Sequence, residues 1–400
     1  MSQSQAGALD GVRVLDLTRI LAGPVCTMLL GDLGAEVIKV EPPGKGDDTR
    51  AWGPPFLGSE SAYFLGANRN KRSMTLNTSS GAGKEILGAL IEKCDVLVEN
   101  YKTGTLAKWG FTEAWREQHA PRTVHCSITG YGTMGPKAHL PGYDFILQAE
   151  SGLMSICGVA DGEPMKYGVA IVDLVTGLLA SNAILAALQA RHRTGRGQRV
   201  EVSLYDSGLF MLANVASNYL ASGKDARRFG NGHPNIVPYT TFAARDGMIA
   251  LAVGNDAQFV KFASVMGRAE WSEDARFARN QDRVVNREAI DALIGTILKT
   301  DAVDAWIAKL VAAGVPCGRV NTVAQALNDP HTAARDMVQT IEHGAAGEFR
   351  TVGPALRMNG TPTSIRRAPP TLGQHTGEIL REELGYITER VAQLRRDGVI

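Results

Sequence analysis

Two aspartates in the middle of the chain precede apolar runs that have the composition of helices. Asp173 is the only charged residue in "GVAIVDLVTGLLA" (168–180), and Asp144 has a similar place in "PGYDFILQ" (141–148). An aspartate that caps a helix accepts from its free backbone N–H groups, which explains either residue without any function. The same N–H groups can hold a carboxylate ionised and aimed, as a covalent nucleophile requires. The residues alone leave both interpretations open, although two such carboxylates so near in sequence indicate a shared site.

The motifs of several other enzyme classes are missing. The segment "SSGAGKEI" (79–86) resembles part of a phosphate-binding loop, but Thr78 stands where that motif has glycine and Glu85 follows its lysine. No GxSxG elbow surrounds a serine. The five cysteines form no CxxC pair and no HxxxH occurs, so we expect neither a metal site nor a disulfide framework.

Three basic side chains are further candidates. His233 lies in the glycine-rich segment "GNGHPN", where a histidine either is simply solvated or belongs to a mobile lid over a site. Lys71 and Arg72 in "NRNKRS" either contact a phosphate group or are solvated.

Composition restricts the class of protein. The chain has 400 residues, 44% hydrophobic and 21% charged, with a formal net charge of +1 and no basic block, so nucleic-acid binding has no electrostatic support. Residues 169–190 are apolar enough for a membrane span, but Asp173 within them favours a buried core helix and no membrane association. The N-terminus lacks the layout of a signal peptide, from which we expect a cytoplasmic protein.

Strands and helices alternate along the first part of the chain, which predicts an α/β fold with a parallel sheet. In such a sheet, ligands bind at the carboxyl ends of the strands. A segment rich in Gly, Pro and Asn (229–242) indicates a boundary, so we predict a large domain over 1–224, a small domain over 225–325 and a returning segment over 326–400. The predicted strands are 11–18, 35–41, 71–77, 95–101 and 123–131, and the predicted helices include 24–34 and 83–94.

The chain also resembles the class III CoA-transferases, the carnitine and bile-acid CoA-transferase group, from about residue 8 to its C-terminus. The resemblance is carried by "VLDLTRILAGPVCTMLLGDLGAEVIKVEPPGKGDDTR" (14–50), "NRNKRS" (68–73), "VEN" (98–100), "GYGTMGP" (130–136), "GYDFILQAESGLM" (142–154), "GVAIVDLVTG" (168–177), "TGRGQRVEVSLYDS" (194–207) and "LGQHT" (372–376).

This resemblance implies a fold and a chemistry. The fold is a Rossmann-like large domain with a smaller α+β domain, in a homodimer whose two ring-shaped chains are interlaced. The chemistry is exchange of CoA between an acyl-CoA and a free carboxylic acid, with Asp173 as the nucleophile and aspartyl anhydride and aspartyl-CoA thioester intermediates. A CoA thioester is then a substrate, and no tightly bound cofactor is expected.

The resemblance also implies roles for further residues. The reacting thioester lies beside Arg19, Ile20 and Leu21. The remaining CoA contacts are expected at Arg72, Leu76, Asn100, Tyr101, Lys108 and Lys137, among which Lys108 stands where the family often has a phosphate-binding arginine. Substrate contacts are expected at Arg50, Tyr143, Asp144 and His233.

The succinyl-CoA–glutarate (hydroxymethylglutarate) branch is the most similar one, which implies dicarboxylic acids as substrates. The distal carboxylate of such an acid needs a cation, for which Arg19, Arg50, Arg227 and Arg228 are candidates. The related α-methylacyl-CoA racemases carry a histidine where this chain has Tyr143, and a tyrosine is a poor base at neutral pH. A racemase-like isomerase and a non-catalytic acyl-CoA binding protein remain the alternatives.

Overall fold

The structure is a computed structural model that describes residues 6–400. These residues divide into two compact units. The first contains the residues up to Leu153 together with Tyr167–Ala216 and Pro330–Ile400, and the second contains Met154–Lys166 and Ser217–Asp329. The segment 154–166, which the sequence analysis placed in the large domain, therefore groups with the second unit. The predicted domain boundaries stay predictions.

The strands are β1 (Arg13–Asp16), β2 (Glu36–Glu41), β3 (Phe56–Leu57), β4 (Glu60–Ser61), β5 (Lys71–Thr75), β6 (Val96–Glu99), β7 (Val124–Thr129), β8 (Arg199–Ser203), β9 (Tyr239–Ala244), β10 (Gly247–Ala252), β11 (Cys317–Arg319), β12 (Val338–His343) and β13 (Gly347–Val352). The helices are α1 (Ala22–Asp32), α2 (Ala62–Ala67), α3 (Gly81–Lys93), α4 (Thr105–Lys108), α5 (Glu113–His119), α6 (Asp144–Glu150), α7 (Leu153–Ile156), α8 (Ile171–Thr194), α9 (Leu204–Met211), α10 (Ala213–Ser222), α11 (Asp256–Val265), α12 (Asn280–Val285), α13 (Arg287–Leu298), α14 (Val303–Ala312), α15 (Val323–Leu327), α16 (Pro330–Ala334), α17 (Thr376–Leu384) and α18 (Thr388–Arg396).

The first unit is built on a six-stranded sheet in the order β5-β2-β1-β6-β7-β8, in which every pair is parallel. The strand order reverses between β1 and β6, which makes the carboxyl ends of these two strands the expected place for a ligand. The predicted α/β class with a parallel sheet is confirmed. The hairpin β12–β13, which the sequence analysis did not predict, also belongs to this unit.

The second unit combines an antiparallel sheet with helices. Its strands follow the order β11-β10-β9, and β9 and β10 form a hairpin around Gly247. Buried aromatic side chains, among them Phe259, Phe262 and Trp306, form its core. Its composition of strands and helices is that of an α+β unit.

Helix α8 carries a buried stripe at the spacing of a helix that packs along its whole length. Asp173, Gly177, Ala180 and Ile184 follow one another at intervals of three or four residues and are buried. Among the described helices, only α8 is long and apolar enough to cross a membrane by length and composition. It packs on α1, β7 and β8, as a core helix does.

Glycine at position 177 permits the close approach of α8 to α1. A Cβ atom at this position would lie 2.6 Å from the carbonyl oxygen of Ala22, a backbone atom that cannot move aside cheaply. The contact therefore fixes the start of α1 against the turn of α8 that follows Asp173.

We predict that Gly177→Ala destabilises the protein by about 1–3 kcal/mol, because the added methyl group forces the two helices apart. The control is Gly66→Ala in helix α2, where a Cβ meets no atom within 4 Å, and which should be neutral or stabilising by up to about 1 kcal/mol. Urea unfolding of both variants measures the difference. Equal stability of the two variants would contradict the predicted close contact.

Candidate active site

A cleft of about 360 Å³ opens at the carboxyl ends of the central strands, and we call it the main cleft. It lies where the strand order reverses, as expected for an open α/β sheet. Asp173 and Asp144 both line it, so the structure brings the two aspartates together. Its lining consists of residues 19–22, 100–103, 128–130 and 138–144 together with Asp48, Lys108, Asp173 and Leu204.

Asp173 is not the cap of its helix, so that interpretation is wrong. Helix α8 begins at Ile171, its N-cap residue is Ala170, and Asp173 stands within the first turn. Its side chain is 9% exposed. Among the described residues, no cationic side chain pairs with it and no donor hydrogen-bonds its carboxylate. Burial, together with the negative charge of Asp144, raises the pKa of Asp173 from 3.8 to about 7.

Asp144 holds the backbone at the start of helix α8. Its Oδ1 atom accepts hydrogen bonds from the N–H groups of Val172 at 2.8 Å and of Asp173 at 3.3 Å. Its Oδ2 atom accepts from Nε2 of Gln148 at 2.7 Å. Asp144 is the first residue of α6, whose N-cap is Tyr143, so it does not cap its own helix. The free N–H groups expected to stabilise Asp173 are thus occupied by a second carboxylate.

The loop between β1 and α1 is held by buried charges. Ile20 has a φ of 71°, a costly value for a β-branched residue, and its N–H group donates to Oδ1 of Asp47 at 3.2 Å. Nζ of Lys39, fully buried, donates to Oδ2 of Asp47 at 2.9 Å and to the carbonyl of Thr18 at 2.8 Å. Burial alone would raise the pKa of Asp47, but Lys39 and Thr49 hold it below its ordinary value. The network therefore fixes Ile20, Leu21 and the start of α1 at the main cleft.

A second cleft of about 190 Å³ adjoins the first, and we call it the side cleft. Arg19, Asp48 and Tyr101 line both clefts, so the two are continuous along the ends of β1 and β6. Leu76 lines the side cleft, where its buried side chain offers an apolar surface. The ring of Tyr101 contacts that of Trp109 edge-on, with 5.1 Å between centroids.

Asn100 lines the main cleft and also forms hydrogen bonds to the loop between β1 and α1. Its Nδ2 atom donates to the carbonyl of Arg19 at 2.8 Å, and its Oδ1 atom accepts from the N–H group of Arg19 at 3.1 Å. The guanidinium of Arg19 lies 3.2 Å from Asp48 and remains largely exposed. Lys108 and Tyr143 also line the main cleft. The predicted CoA contacts of these residues stay predictions.

The structure places two predicted arginines away from both clefts. Arg50 makes two 2.8 Å hydrogen bonds to Glu41 and stacks on Phe64, so its charge is neutralised inside the protein. Arg72 is buried against the carboxylates of Glu382 at 2.6 Å and Glu378 at 2.9 Å. Acidic neighbours thus take up the charges of both guanidinium groups, and the predicted substrate contact of Arg50 and CoA contact of Arg72 stay predictions.

Two further predicted residues have local partners. Lys137 pairs with Glu150 at 2.5 Å, just before the residues 138–144 that line the main cleft. His233 belongs to the second unit, where its Nδ1 atom accepts from the N–H group of Asn235 at 3.1 Å. Their expected roles stay predictions.

The sequence analysis missed Tyr63 and His139. Burial and the charges of Asp173, Asp144 and Asp47 raise the pKa of Tyr63 to about 12, which places this neutral phenol in the field of the site's carboxylates. His139 lines the main cleft. Tyr63 follows β4 at the start of a helix far from Asp173 in sequence, so no local pattern pointed to it. His139 stands only five residues before Asp144, a proximity that could have identified it.

Comparison with known proteins gives a consistent result. The family described as CoA-transferase family III matches residues 9–376. The succinyl-CoA:glutarate CoA-transferase of Mus musculus is 43% identical over 98% of this chain and 90% of its own length. The succinate–glutarate CoA-transferase of Agrobacterium fabrum is 41% identical over 94% of this chain and 95% of its own. A crystal structure of a CAIB/BAIF family protein from Brucella suis matches with a TM-score of 0.83 and 42% identity, over 95% of this chain and 100% of that one.

The raised pKa of Asp173 predicts a stability effect. The folded state holds this proton up to about pH 7, whereas the unfolded chain releases it near 3.8, so stability falls as the pH rises through that window. Asp173→Asn should therefore stabilise the protein at pH 8 by an amount on the order of 4 kcal/mol, and by much less at pH 5.

Urea unfolding at both pH values measures this effect. Asp206→Asn is the control, because Asp206 also stands in the first turn of a helix but is exposed. A stability gain for Asp173→Asn that does not change between pH 5 and pH 8 would refute the perturbed carboxylate.

Proposed function

The chain belongs to CoA-transferase family III and is a CoA-transferase, and we propose that it moves CoA from succinyl-CoA to a small dicarboxylic acid such as glutarate. The observation that carries the proposal is Asp173 itself. It is a buried carboxylate with no cationic partner among the described residues, and it lines the main cleft beside the start of α1. A desolvated anion of raised basicity is a stronger nucleophile than a solvated one.

The first half of the proposed reaction transfers the acyl group to the protein and then releases it. A carboxylate oxygen of Asp173 attacks the thioester carbonyl carbon of succinyl-CoA, the C–O bond forms, the C–S bond breaks, and CoA leaves as a thiolate. The product on the protein is a mixed anhydride of Asp173 and succinate. The thiolate then attacks the aspartyl carbonyl carbon, which releases succinate and leaves an aspartyl-CoA thioester.

The second half repeats these steps in reverse with the new acid. A carboxylate of glutarate attacks the aspartyl-CoA carbonyl carbon and displaces the thiolate, which gives a second mixed anhydride. The thiolate attacks the glutaryl carbonyl carbon, so glutaryl-CoA forms and the carboxylate of Asp173 is regenerated. One thioester replaces another, so the exchange needs no ATP.

The two clefts suit the two parts of a CoA thioester. We assign the adenine end to the side cleft, where Leu76 and Trp109 offer apolar surface. Lys45, whose Nζ atom lies 2.6 Å from Asp48 but whose side chain is 74% exposed, offers a cation for phosphate there. We assign the thioester to the main cleft, between the loop at Ile20 and Asp173. Of the arginines predicted to hold a distal carboxylate, Arg19 lines this cleft, whereas Arg50 is neutralised by Glu41.

We also propose that the chain forms a homodimer. Phe210 is 71% exposed and its neighbour Leu209 is 41% exposed, both on helix α9 of the first unit. Large apolar side chains that remain exposed together are typical of a surface covered by another chain. Sedimentation at twice the 42.8 kDa mass of one chain would support the dimer, and a monomer at micromolar concentration would refute it.

Two alternatives make different predictions. A racemase-like isomerase needs a second acid/base group and would exchange the α-proton of a 2-methylacyl-CoA with deuterated water, but Tyr143 occupies the position expected for that base. A non-catalytic binding protein would bind CoA esters without exchanging them.

We predict that Asp173→Ala lowers the rate of label exchange between succinyl-CoA and glutarate by roughly 10³-fold or more, because the covalent route is lost. The control Asp206→Asn should retain the wild-type rate. Butyrate, which has one carboxylate, should be a poorer acceptor than glutarate by about tenfold or more, since it cannot form a charge-assisted pair at its distal end. Exchange by Asp173→Ala at the wild-type rate would exclude Asp173 as the nucleophile.

A further inference from the structure

Helix α8 lacks a cap of its own, and a residue from another helix supplies one. Ala170 stands at its N-cap position and has no side-chain acceptor. The first N–H groups of a helix have no partner within the helix, and buried ones need an acceptor. Oδ1 of Asp144 accepts from two of them, those of Val172 at 2.8 Å and Asp173 at 3.3 Å. Asp144 therefore bonds directly to the backbone of the residue that we propose as nucleophile.

The side chain of Asp144 is held in place by Gln148. Gln148, one turn along α6 and 1% exposed, donates from Nε2 to Oδ2 of Asp144 at 2.7 Å. Oε1 of Gln148 accepts from the N–H group of Tyr167 at 2.7 Å, in the segment that leads into α8. Both oxygens of Asp144 and both ends of the Gln148 amide are thus used to join α6 to the start of α8.

This arrangement also puts a negative charge beside Asp173. An asparagine or serine could accept the hydrogen bonds from the two N–H groups without a charge. A carboxylate in this place offsets the positive end of the α8 dipole, which would otherwise stabilise the anion of Asp173 and weaken it as a nucleophile. The other charged or titratable groups around Asp173 are Arg19, Asp48, Lys102, Lys108, His139 and Tyr143 in the main cleft, and Tyr63.

We propose that Asp144 is a positioning residue for the transfer reaction: it anchors the first turn of helix α8, and its negative charge keeps Asp173 strongly nucleophilic. The substrate contact expected for Asp144 from the sequence stays a prediction beside this role. The inference rests on the proposed function of Asp173.

The test separates the hydrogen bonds of Asp144 from its charge. Asp144→Asn keeps an acceptor for the two N–H groups and removes the charge together with the hydrogen bond from Gln148, whereas Asp144→Ala removes the charge and all three hydrogen bonds. The control is Asp246→Asn, because Asp246 also accepts from the first turn of a distant helix, through the N–H group of Val303 at 2.8 Å, but lies in the second unit.

For each protein, the pH dependence of kcat/KM for succinyl-CoA and glutarate is measured together with the melting temperature. We expect Asp144→Asn to melt within a few degrees of wild type and to shift the acidic limb of kcat/KM to lower pH by about one unit, because a like charge no longer opposes ionisation of Asp173. The substrates ionise in the same way whichever protein is assayed, so a difference in the acidic limb between two proteins reflects a pKa of the enzyme. Asp144→Ala should lower kcat by more than tenfold with a KM changed less than threefold.

An acidic limb in Asp144→Asn that coincides with that of wild type and of Asp246→Asn would overturn the role of the charge, as would an activity loss equal at every pH. A kcat near the wild-type value in Asp144→Ala would overturn the anchoring role; if that variant does not fold, Asp144→Asn alone decides the proposal. Failure of the proposed function is a separate result, since it would appear as full exchange activity in Asp173→Ala.

Discussion

Burying the carboxylate of Asp173 without a cationic partner costs free energy of folding. The packing around helix α8 must offset that cost. The residue belongs to the buried stripe that packs α8 on α1, so it cannot turn to solvent without giving up its place in that stripe. Burial and Asp144 together hold its pKa near 7 rather than 3.8. The site stabilises the ionised form of Asp173 only weakly. Such an environment is suitable for a group that must form and break covalent bonds.

The buried charges under the loop between β1 and α1 are, by contrast, paired with opposite charges. There, Lys39 and Lys71 are fully buried, and each pairs with an aspartate, Asp47 and Asp16 respectively, at 2.9–3.0 Å. Breaking a buried pair of this kind leaves an uncompensated charge, so the network is a rigid support. It fixes the strained conformation of Ile20, which lines the main cleft together with Asp173, an aspartate without a cationic partner among the described residues. Rigidly paired charges and an unpaired carboxylate thus border the same cleft.

Local patterns predicted much of the fold and part of the site. Alternating strands and helices indicated the parallel sheet, and the rule that ligands bind at the carboxyl ends of parallel strands indicated the edge at which the main cleft lies. An N-cap at Asp173 would lie three residues after the observed N-cap at Ala170, because the acceptor for the first N–H groups comes from Asp144 and is not visible in the sequence of α8. The ion pairs of Arg50 and Arg72 could not be predicted for a similar reason. Their carboxylate partners include Glu60 and Glu382, contacts that only the folded chain brings together.

The most direct test of the central claim is the intact mass of the protein after mixing with succinyl-CoA, followed by hydroxylamine, for wild type and Asp173→Ala. The account predicts a covalent adduct on the wild-type protein, which hydroxylamine removes and which Asp173→Ala lacks, because a thioester or anhydride on Asp173 is cleaved by this nucleophile. An Asp173→Ala protein that still forms the adduct, or that exchanges label between succinyl-CoA and glutarate at the wild-type rate, would contradict it.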